Sequence, residues 1–144
     1  MPDESPARQV ATALWVVQAV LVVCSWPVQL LMLLSLGWEG GDQAAKHRLL
    51  DTIPLLGFGG LALAVVAAVA APCVWRDASG AWGLSWTGAV LAVLIGVGWA
   101  AALRSTVLEP TFAGIWLAMT LPAPVALALL TVVRRRSAPV PGRG

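Results

Sequence analysis

Four long apolar segments separated by short polar stretches dominate the chain. They cover residues 10–36, 53–75, 82–104 and 111–133. Each exceeds the roughly 20 residues that a helix needs to cross the hydrocarbon core of a bilayer. Because the connections are short, consecutive helices run antiparallel. The pattern therefore predicts an all-α membrane protein, a four-transmembrane-helix antiparallel bundle formed by residues 10–133.

The two ends of the chain lack this apolar pattern. Residues 1–9 are polar and contain proline, which predicts a disordered cytoplasmic N-terminus. Residues 134–144 form a basic tail rich in proline and glycine, also predicted to be cytoplasmic. The first apolar segment is too long for the core of a signal peptide, so we expect it to be a retained helix.

The first predicted outer loop, residues 37–52, has its own helical pattern. Asp42 follows two glycines and can cap a short helix. On that helix Ala45, Leu49 and Leu50 face the membrane while Lys46 and His47 face water. The pattern predicts a short interfacial helix in this loop.

Small residues recur every fourth position in the two central segments. Membrane helices associate through close van der Waals contact, which Gly and Ala permit because their side chains keep the backbones near each other. We expect these stripes to pack the second and third helices together. Their members are Gly60, Ala64 and Ala68 in the second segment, and Gly88, Ala92, Gly96 and Ala100 in the third.

Prolines interrupt the first and the fourth apolar segments. Pro27 predicts a kink in the first helix, and Pro122 and Pro124 predict kinks in the fourth. The latter pair releases the carbonyls of Ala118 and Thr120 from their helical hydrogen bonds. Those carbonyls need partners from a neighbouring helix, from Thr120 or from water, and broken helices at this depth line binding sites in transporters.

One face of the first segment is polar. Gln18, Ser25 and Gln29 are spaced by seven and four residues and therefore lie on one side of a helix. We expect this face to point into the bundle. Such residues line a substrate path or, more commonly, hydrogen-bond to neighbouring helices for about 0.6 kcal/mol each.

Composition and charge agree with the membrane prediction and add an orientation. The chain is 59% hydrophobic and 11% charged; it lacks Asn and Tyr and has one Lys against eight Arg, a bias typical of GC-rich bacterial genes. The excess of Lys and Arg on one side predicts a plasma-membrane protein with both termini cytoplasmic. That side has Arg8, Arg76, Arg134, Arg135, Arg136 and Arg143; the other has Lys46, Arg48 and Arg104.

Tryptophans are predicted to mark both membrane surfaces. Only Trp26 is expected to lie deep in the bilayer. We place Trp15, Trp75, Trp82 and Trp86 near the inner surface, and Trp38, Trp99 and Trp116 near the outer one.

Ionisable side chains gather at the predicted outer mouth of the bundle. His47 and Asp51 are four residues apart, but the chain has no HExxH or paired-cysteine pattern. The interiors of the predicted spans lack charged residues, since Arg104 lies at the end of the third, and this removes the acidic site of ion-coupled pumps. We therefore predict no catalytic, cofactor or metal site, and keep a polar cluster as the alternative. Its members are Glu39, Asp42, His47, Asp51, Arg104 and Glu109.

Three functional classes remain open. The first is a non-catalytic subunit or assembly protein that packs through its small-residue faces against another membrane protein or a second copy of itself. The second is a transporter or channel component that uses the kinked first and fourth helices. The third is an enzyme or ligand-binding protein that uses the outer-mouth cluster. The bilayer is the predicted environment in all three, and no feature indicates nucleic acid.

Overall fold

The computed structural model describes residues 6–36, 43–103 and 109–137, and the regular structure in these ranges is helical. The fourth apolar segment consists of two helices rather than one. The elements are α1 (Pro6–Leu36), α2 (Gln43–Trp75), α3 (Ala81–Leu103), α4 (Glu109–Thr120) and α5 (Pro122–Ser137).

Four stretches of these helices are long and apolar enough to cross a membrane. They confirm the predicted helical class and the number of apolar helical segments. Their bounds are Pro6–Leu31, Leu50–Trp75, Ala81–Leu103 and Gly114–Arg135.

The helices pack in a ring. α1 lies against α2 and α5, and α3 lies against α2, α4 and α5. The start of α1 and the α2–α3 turn meet at one end, where Arg8 Nη2 pairs with Asp77 Oδ2 at 2.9 Å. The last turns of α5 reach the same end, because Arg134 lies over the ring of Trp82 at the start of α3. We call this the basic end.

The turn between α2 and α3 has a defined helix-capping geometry. The N–H of Ala78 donates to the carbonyl of Cys73 at 2.9 Å, and that of Asp77 donates to Val74 at 3.3 Å. These two bonds form a Schellman motif, in which the C′ residue adopts the left-handed conformation. Asp77 occupies that position with a φ of 53°. Glycine is the usual residue there, so the carboxylate of Asp77 is held at some conformational cost.

The beginning of α2 differs from its prediction. The residues predicted as a separate interfacial helix form the first turns of α2, which begins at Gln43 and continues into the apolar segment. Pro54 therefore lies inside α2. The hydroxyl of Thr52 donates to the carbonyl of Arg48 one turn earlier, at 2.6 Å, as it can within a continuous helix.

The outer helices also extend beyond the apolar segments. α1 begins at Pro6, where the missing N–H of proline costs no helical bond. Residues 6–9 are thus helical rather than disordered. α5 continues past Val133 to Ser137, and residues 1–5 and 138–144 lie outside the described part of the chain.

Three of the tryptophans predicted near the membrane surfaces are buried in the core of the bundle. Trp15 is fully buried, and Trp99 and Trp116 are 1% and 4% exposed. The rings of Trp99 and Trp116 stack, with centroids 4.4 Å apart and planes within 6°. Position along a helix sets depth in the bilayer, whereas the face that a residue occupies sets burial, so these side chains pack inside the bundle and their depth stays a prediction.

The small-residue stripes follow the bundle interior for only part of their length. Gly60 and Ala64 are buried, as are Gly88, Ala92 and Gly96, but Ala68 and Ala100 are exposed. With 3.6 residues per turn, each four-residue step rotates by about 40° around the helix. A strict repeat of four therefore leaves the packed face after two or three steps.

The contact partners of the α3 glycines match the prediction only in part. A Cβ on Gly96 would lie 2.8 Å from Thr120 Oγ1, so Gly96 faces the fourth segment and not α2. A Cβ on Gly88 would lie 2.5 Å from the Trp15 ring, which crosses the bundle from α1. The same Cβ on Gly88 would lie 3.2 Å from Val66 of α2, and a Cβ on Gly98 would lie 2.7 Å from Leu56 of α2, so these two glycines face α2.

Candidate functional sites

The fourth apolar segment breaks at Leu121, between α4 and α5. The N–H of Leu121 donates to the Leu117 carbonyl and the N–H of Val125 donates to the Leu121 carbonyl, each at 3.2 Å. Pro122 and Pro124 have no N–H to donate. The residue between them, Ala123, keeps its donor, and its partner in a regular helix would be the carbonyl of Met119.

The side chain of Gln18 occupies the place of that missing helical bond. Its Nε2 donates to the carbonyl of Met119 at 2.6 Å, and its Oε1 accepts from the N–H of Ala123 at 3.1 Å. One carboxamide from α1 thus connects the donor and the acceptor that a continuous helix would have joined directly. We call this pair of hydrogen bonds the Gln18 bridge.

Burial gives the Gln18 bridge its importance. Gln18 and Ala123 are both fully buried. A buried backbone group without a partner costs about 1–3 kcal/mol, and in an apolar surrounding there is no water to replace the missing partner. The bridge therefore fixes α1 against the break and allows the broken helix to remain in the core.

Thr120 and Gly96 complete the packing around the break. The hydroxyl of Thr120 is within hydrogen-bond distance of the carbonyls of Leu117, at 3.0 Å, and Trp116, at 3.2 Å. Because Gly96 has no side chain, α3 approaches Thr120 closely. The broken segment is thus held by α1 on one side and α3 on the other.

The other buried polar residues of α1 bond within their own helix. The hydroxyl of Ser25 donates to the carbonyl of Val22 at 2.6 Å, and Nε2 of Gln29 donates to the Ser25 hydroxyl at 3.0 Å. The predicted inward orientation of Gln18, Ser25 and Gln29 is confirmed, since they are at most 6% exposed.

A small cavity remains beside this polar chain. Its walls include Ser25, Gln29, Thr120 and the stacked pair Trp99 and Trp116, and its volume is about 10 Å³. That is about the space of one water molecule. The indole nitrogens of both tryptophans are buried without a hydrogen-bond partner among the described residues. The cavity is too small for a solute.

The predicted outer-mouth cluster is only partly described. His47 and Asp51 lie on exposed positions of α2, one turn apart, and Glu109 is the first residue of α4. Glu39, Asp42 and Arg104 lie outside the described residues. Within residues 6–36, 43–103 and 109–137, no group of three or more His, Cys, Asp or Glu side chains is placed to hold a metal ion.

Comparison with known proteins adds no relative. No protein-family model, curated protein or solved structure matches this chain. The sites must therefore be interpreted from their own chemistry.

A second candidate site is an open cleft of about 370 Å³ at the basic end. Arg8 and Asp77 form its ion pair, with the Asp77 side chain 73% exposed and that of Arg8 30% exposed. The guanidinium carbon of Arg134 lies 5.0 Å from the centroid of the Trp82 ring, a cation–π contact. Ser79 adds a hydroxyl, and the apolar walls are Val74, Leu130 and Val133.

Sequence reasoning did not find this cleft. It treated Arg8 and Arg134 only as topology signals, although they are far apart in the sequence and adjacent in the bundle. One residue of the polar link after Trp75, Asp77, could have indicated a contact with a cation. An acidic side chain at a helix C-terminus interacts unfavourably with the helix dipole, so a nearby cation stabilises it, and Arg8 is that cation.

Proposed function

We propose that this chain is a multi-pass membrane protein, with both termini cytoplasmic, that acts as a non-catalytic subunit or assembly partner of another membrane protein. The observation that carries the proposal is the Gln18 bridge. It pairs the Met119 carbonyl and the Ala123 N–H, the acceptor and donor that the break separates, with one side chain from within the chain. An interior organised in this way supports a structural role and leaves the outer helix faces for binding.

The outer faces of the first and fourth apolar segments are the best candidates for the partner surface. In the most apolar 18-residue stretch of each segment, 28% of the residues are buried in the first and fourth segments, compared with 44% in the second and third. Exposed Val20 and Val125 represent these two faces, which adjoin because α1 packs against α5. A helix that buries less of its surface inside the bundle leaves more of it exposed for contact with a partner helix.

A photo-crosslinking experiment tests this proposal. A photoreactive phenylalanine analogue at Val20 or Val125 should crosslink the chain to a second membrane protein in native membranes. The matched control is Val65, which is equally exposed but lies on α2. Adducts from the first two positions and not from the third support the proposal. Adducts to this chain alone would make the partner a second copy, and adducts to lipid alone would contradict the proposal.

The orientation has its own test. In a chain with Cys24 and Cys73 replaced by Ala, a cysteine at Gly41 should react with a membrane-impermeant thiol reagent added outside intact cells. A reporter fused after Gly144 should be active only in the cytoplasm. Labelling of the cysteine at position 41 only after the cells are opened would contradict the proposed orientation and support the opposite one.

A transporter component is the second candidate, because a helix break in the core is a feature of transporter binding sites. For solute to pass, the Gln18 bridge would have to open, since the adjacent cavity is about 10 Å³. Gln18→Leu removes the bridge. Under the transporter hypothesis this change abolishes transport of a co-purified solute; under the subunit hypothesis it lowers stability and leaves crosslinking from Val20 intact in the folded fraction.

A further inference from the structure

We propose that the cleft at the basic end binds the phosphate of an anionic phospholipid headgroup. The inference rests on the proposed membrane insertion and adds a specific ligand class to it. The cleft combines two arginines, a hydroxyl and apolar walls in one space of about 370 Å³. These are the features that a phosphate joined to a hydrocarbon chain requires.

Arg8 is the first phosphate donor. Its Nη2 pairs with Asp77 Oδ2 at 2.9 Å, which joins the start of α1 to the α2–α3 turn at the cleft. A guanidinium has five N–H donors, so this ion pair leaves others for a second acceptor. Asp77 holds the arginine from a left-handed turn position that favours glycine. The conformation of the turn thus sets the position of the carboxylate that pairs with Arg8.

Arg134 is the second donor, and its position differs from that of Arg8. Its guanidinium packs on the Trp82 ring at 5.0 Å and has no ion-pair partner among the described residues. A guanidinium whose face is covered by an aromatic ring still has its N–H groups at its edge. Planar, bidentate donation suits phosphate oxygens.

The charges of the cleft match a phosphodiester. Arg8 and Arg134 contribute two positive charges and Asp77 one negative charge, which leaves one positive charge for the single negative charge of a phosphatidylglycerol-type headgroup. Arg76 and Arg135, both exposed, add positive charge nearby. Basic pockets between helices on the cytoplasmic side are known to bind anionic headgroups.

The position of the cleft favours a lipid over free phosphate. Trp82 lies in the first turn of α3, and its ring contacts that of Trp86 edge-on, with centroids 6.2 Å apart. Trp86 is half-exposed and lines an open, apolar face of α3 together with Val90 and Leu94. This face begins one turn from Trp82, so the acyl chain of a lipid whose headgroup occupies the cleft can lie along it.

The test compares three ligands on the purified full-length chain in a neutral detergent. The ligands are phosphatidylglycerol, phosphatidylcholine and sodium phosphate, and the readout is the rise in unfolding temperature with ligand concentration, which gives an apparent Kd. Arg134→Gln is the main variant because it breaks no ion pair. Arg76→Gln and Arg135→Gln are matched controls with the same charge change at the same end, outside the cleft lining.

We expect phosphatidylglycerol to stabilise the wild-type chain and Arg134→Gln to weaken its binding about fivefold or more. Arg76→Gln and Arg135→Gln should change it less than twofold, and Arg134→Lys should recover part of the loss. Phosphatidylcholine and sodium phosphate should have little effect.

Equal losses in all three Gln variants would show unspecific attraction and overturn the proposed site. Saturable stabilisation by sodium phosphate equal to that by phosphatidylglycerol would overturn the lipid as its ligand. Failure of the chain to float with lipid vesicles would instead contradict membrane insertion, and with it the proposed function.

Discussion

Gln18 and Gln29 are the same residue type on the same face of α1, yet they have different structural roles. Both are buried, at 0% and 6% exposure. Gln18 uses its nitrogen and its oxygen to join α1 to two other helices. The hydrogen bond that the structure shows for Gln29 is to Ser25, one turn away in α1.

The difference comes from the backbone that each glutamine faces. The two prolines on either side of Ala123 have no N–H and break the helix there. The N–H of Ala123 and the carbonyl of Met119 are then too far apart to bond to each other, and a carboxamide, which has both a donor and an acceptor, is complementary to that pair. Pro27 lies near Gln29, but α1 continues through it to Leu36. Of these two buried glutamines, the one that connects helices is the one that faces an open backbone pair.

The largest effect that this comparison predicts is the loss of the Gln18 bridge. Gln18→Leu keeps the volume but leaves the buried Ala123 N–H and the carbonyl of half-buried Met119 without partners, so we expect a destabilisation of about 2 kcal/mol. Gln29→Leu, the matched control, should cost less than about 1 kcal/mol. Unfolding in mixed detergent micelles measures both. Equal costs would remove the distinction between the two glutamines.

Glycine substitutions near each glutamine should follow the same order. Gly96→Ala places a methyl 2.8 Å from Thr120 Oγ1, beside the break, and we expect it to cost about 1–2 kcal/mol. At Gly57, in the groove next to Gln29, a Cβ meets nothing within 4 Å. Gly57→Ala should be neutral or stabilise by up to about 1 kcal/mol. A neutral Gly96→Ala would mean that α3 does not press on the break.

The smallest expected effect is the coupling between Gln18 and the prolines. Replacing Pro122 and Pro124 by Ala restores the donors, so that Ala123 can bond to Met119 directly. The cost of Gln18→Leu should then fall by about 1 kcal/mol, measured as a double-mutant cycle. Additive costs would show that the bridge does not depend on the helix break.

Much of the helical layout was predictable from the length and composition of the apolar segments. Segment length and composition located four apolar helical segments, and the spacing of Gln18, Ser25 and Gln29 identified a buried face. The prediction of helix boundaries was less accurate. Residues 43–52 contain no helix-breaking residue, and α2 therefore begins at Gln43, ten residues before its predicted start at residue 53.

The candidate sites were less predictable because they depend on contacts between distant residues. The prolines indicated that backbone groups near residues 118–124 need partners, but the bridge from Gln18 depends on how α1 is rotated against α5. The cleft depends on Arg8, Asp77 and Arg134 meeting at one end of the bundle. The periodicity of a single segment contains neither piece of information.

The central claim, that Gln18 replaces the helical bond between Met119 and Ala123, can be measured directly in lipid. The chain has four Gln and three Met, so ¹⁵N in the glutamine side chains and ¹³C in the methionine carbonyls can be paired by solid-state NMR. We predict that the ¹³C signal of Met119 is dephased by a nearby ¹⁵N in the wild type and in Gln29→Leu, and not in Gln18→Leu. Absence of dephasing in the wild type, or its persistence in Gln18→Leu, would contradict the account.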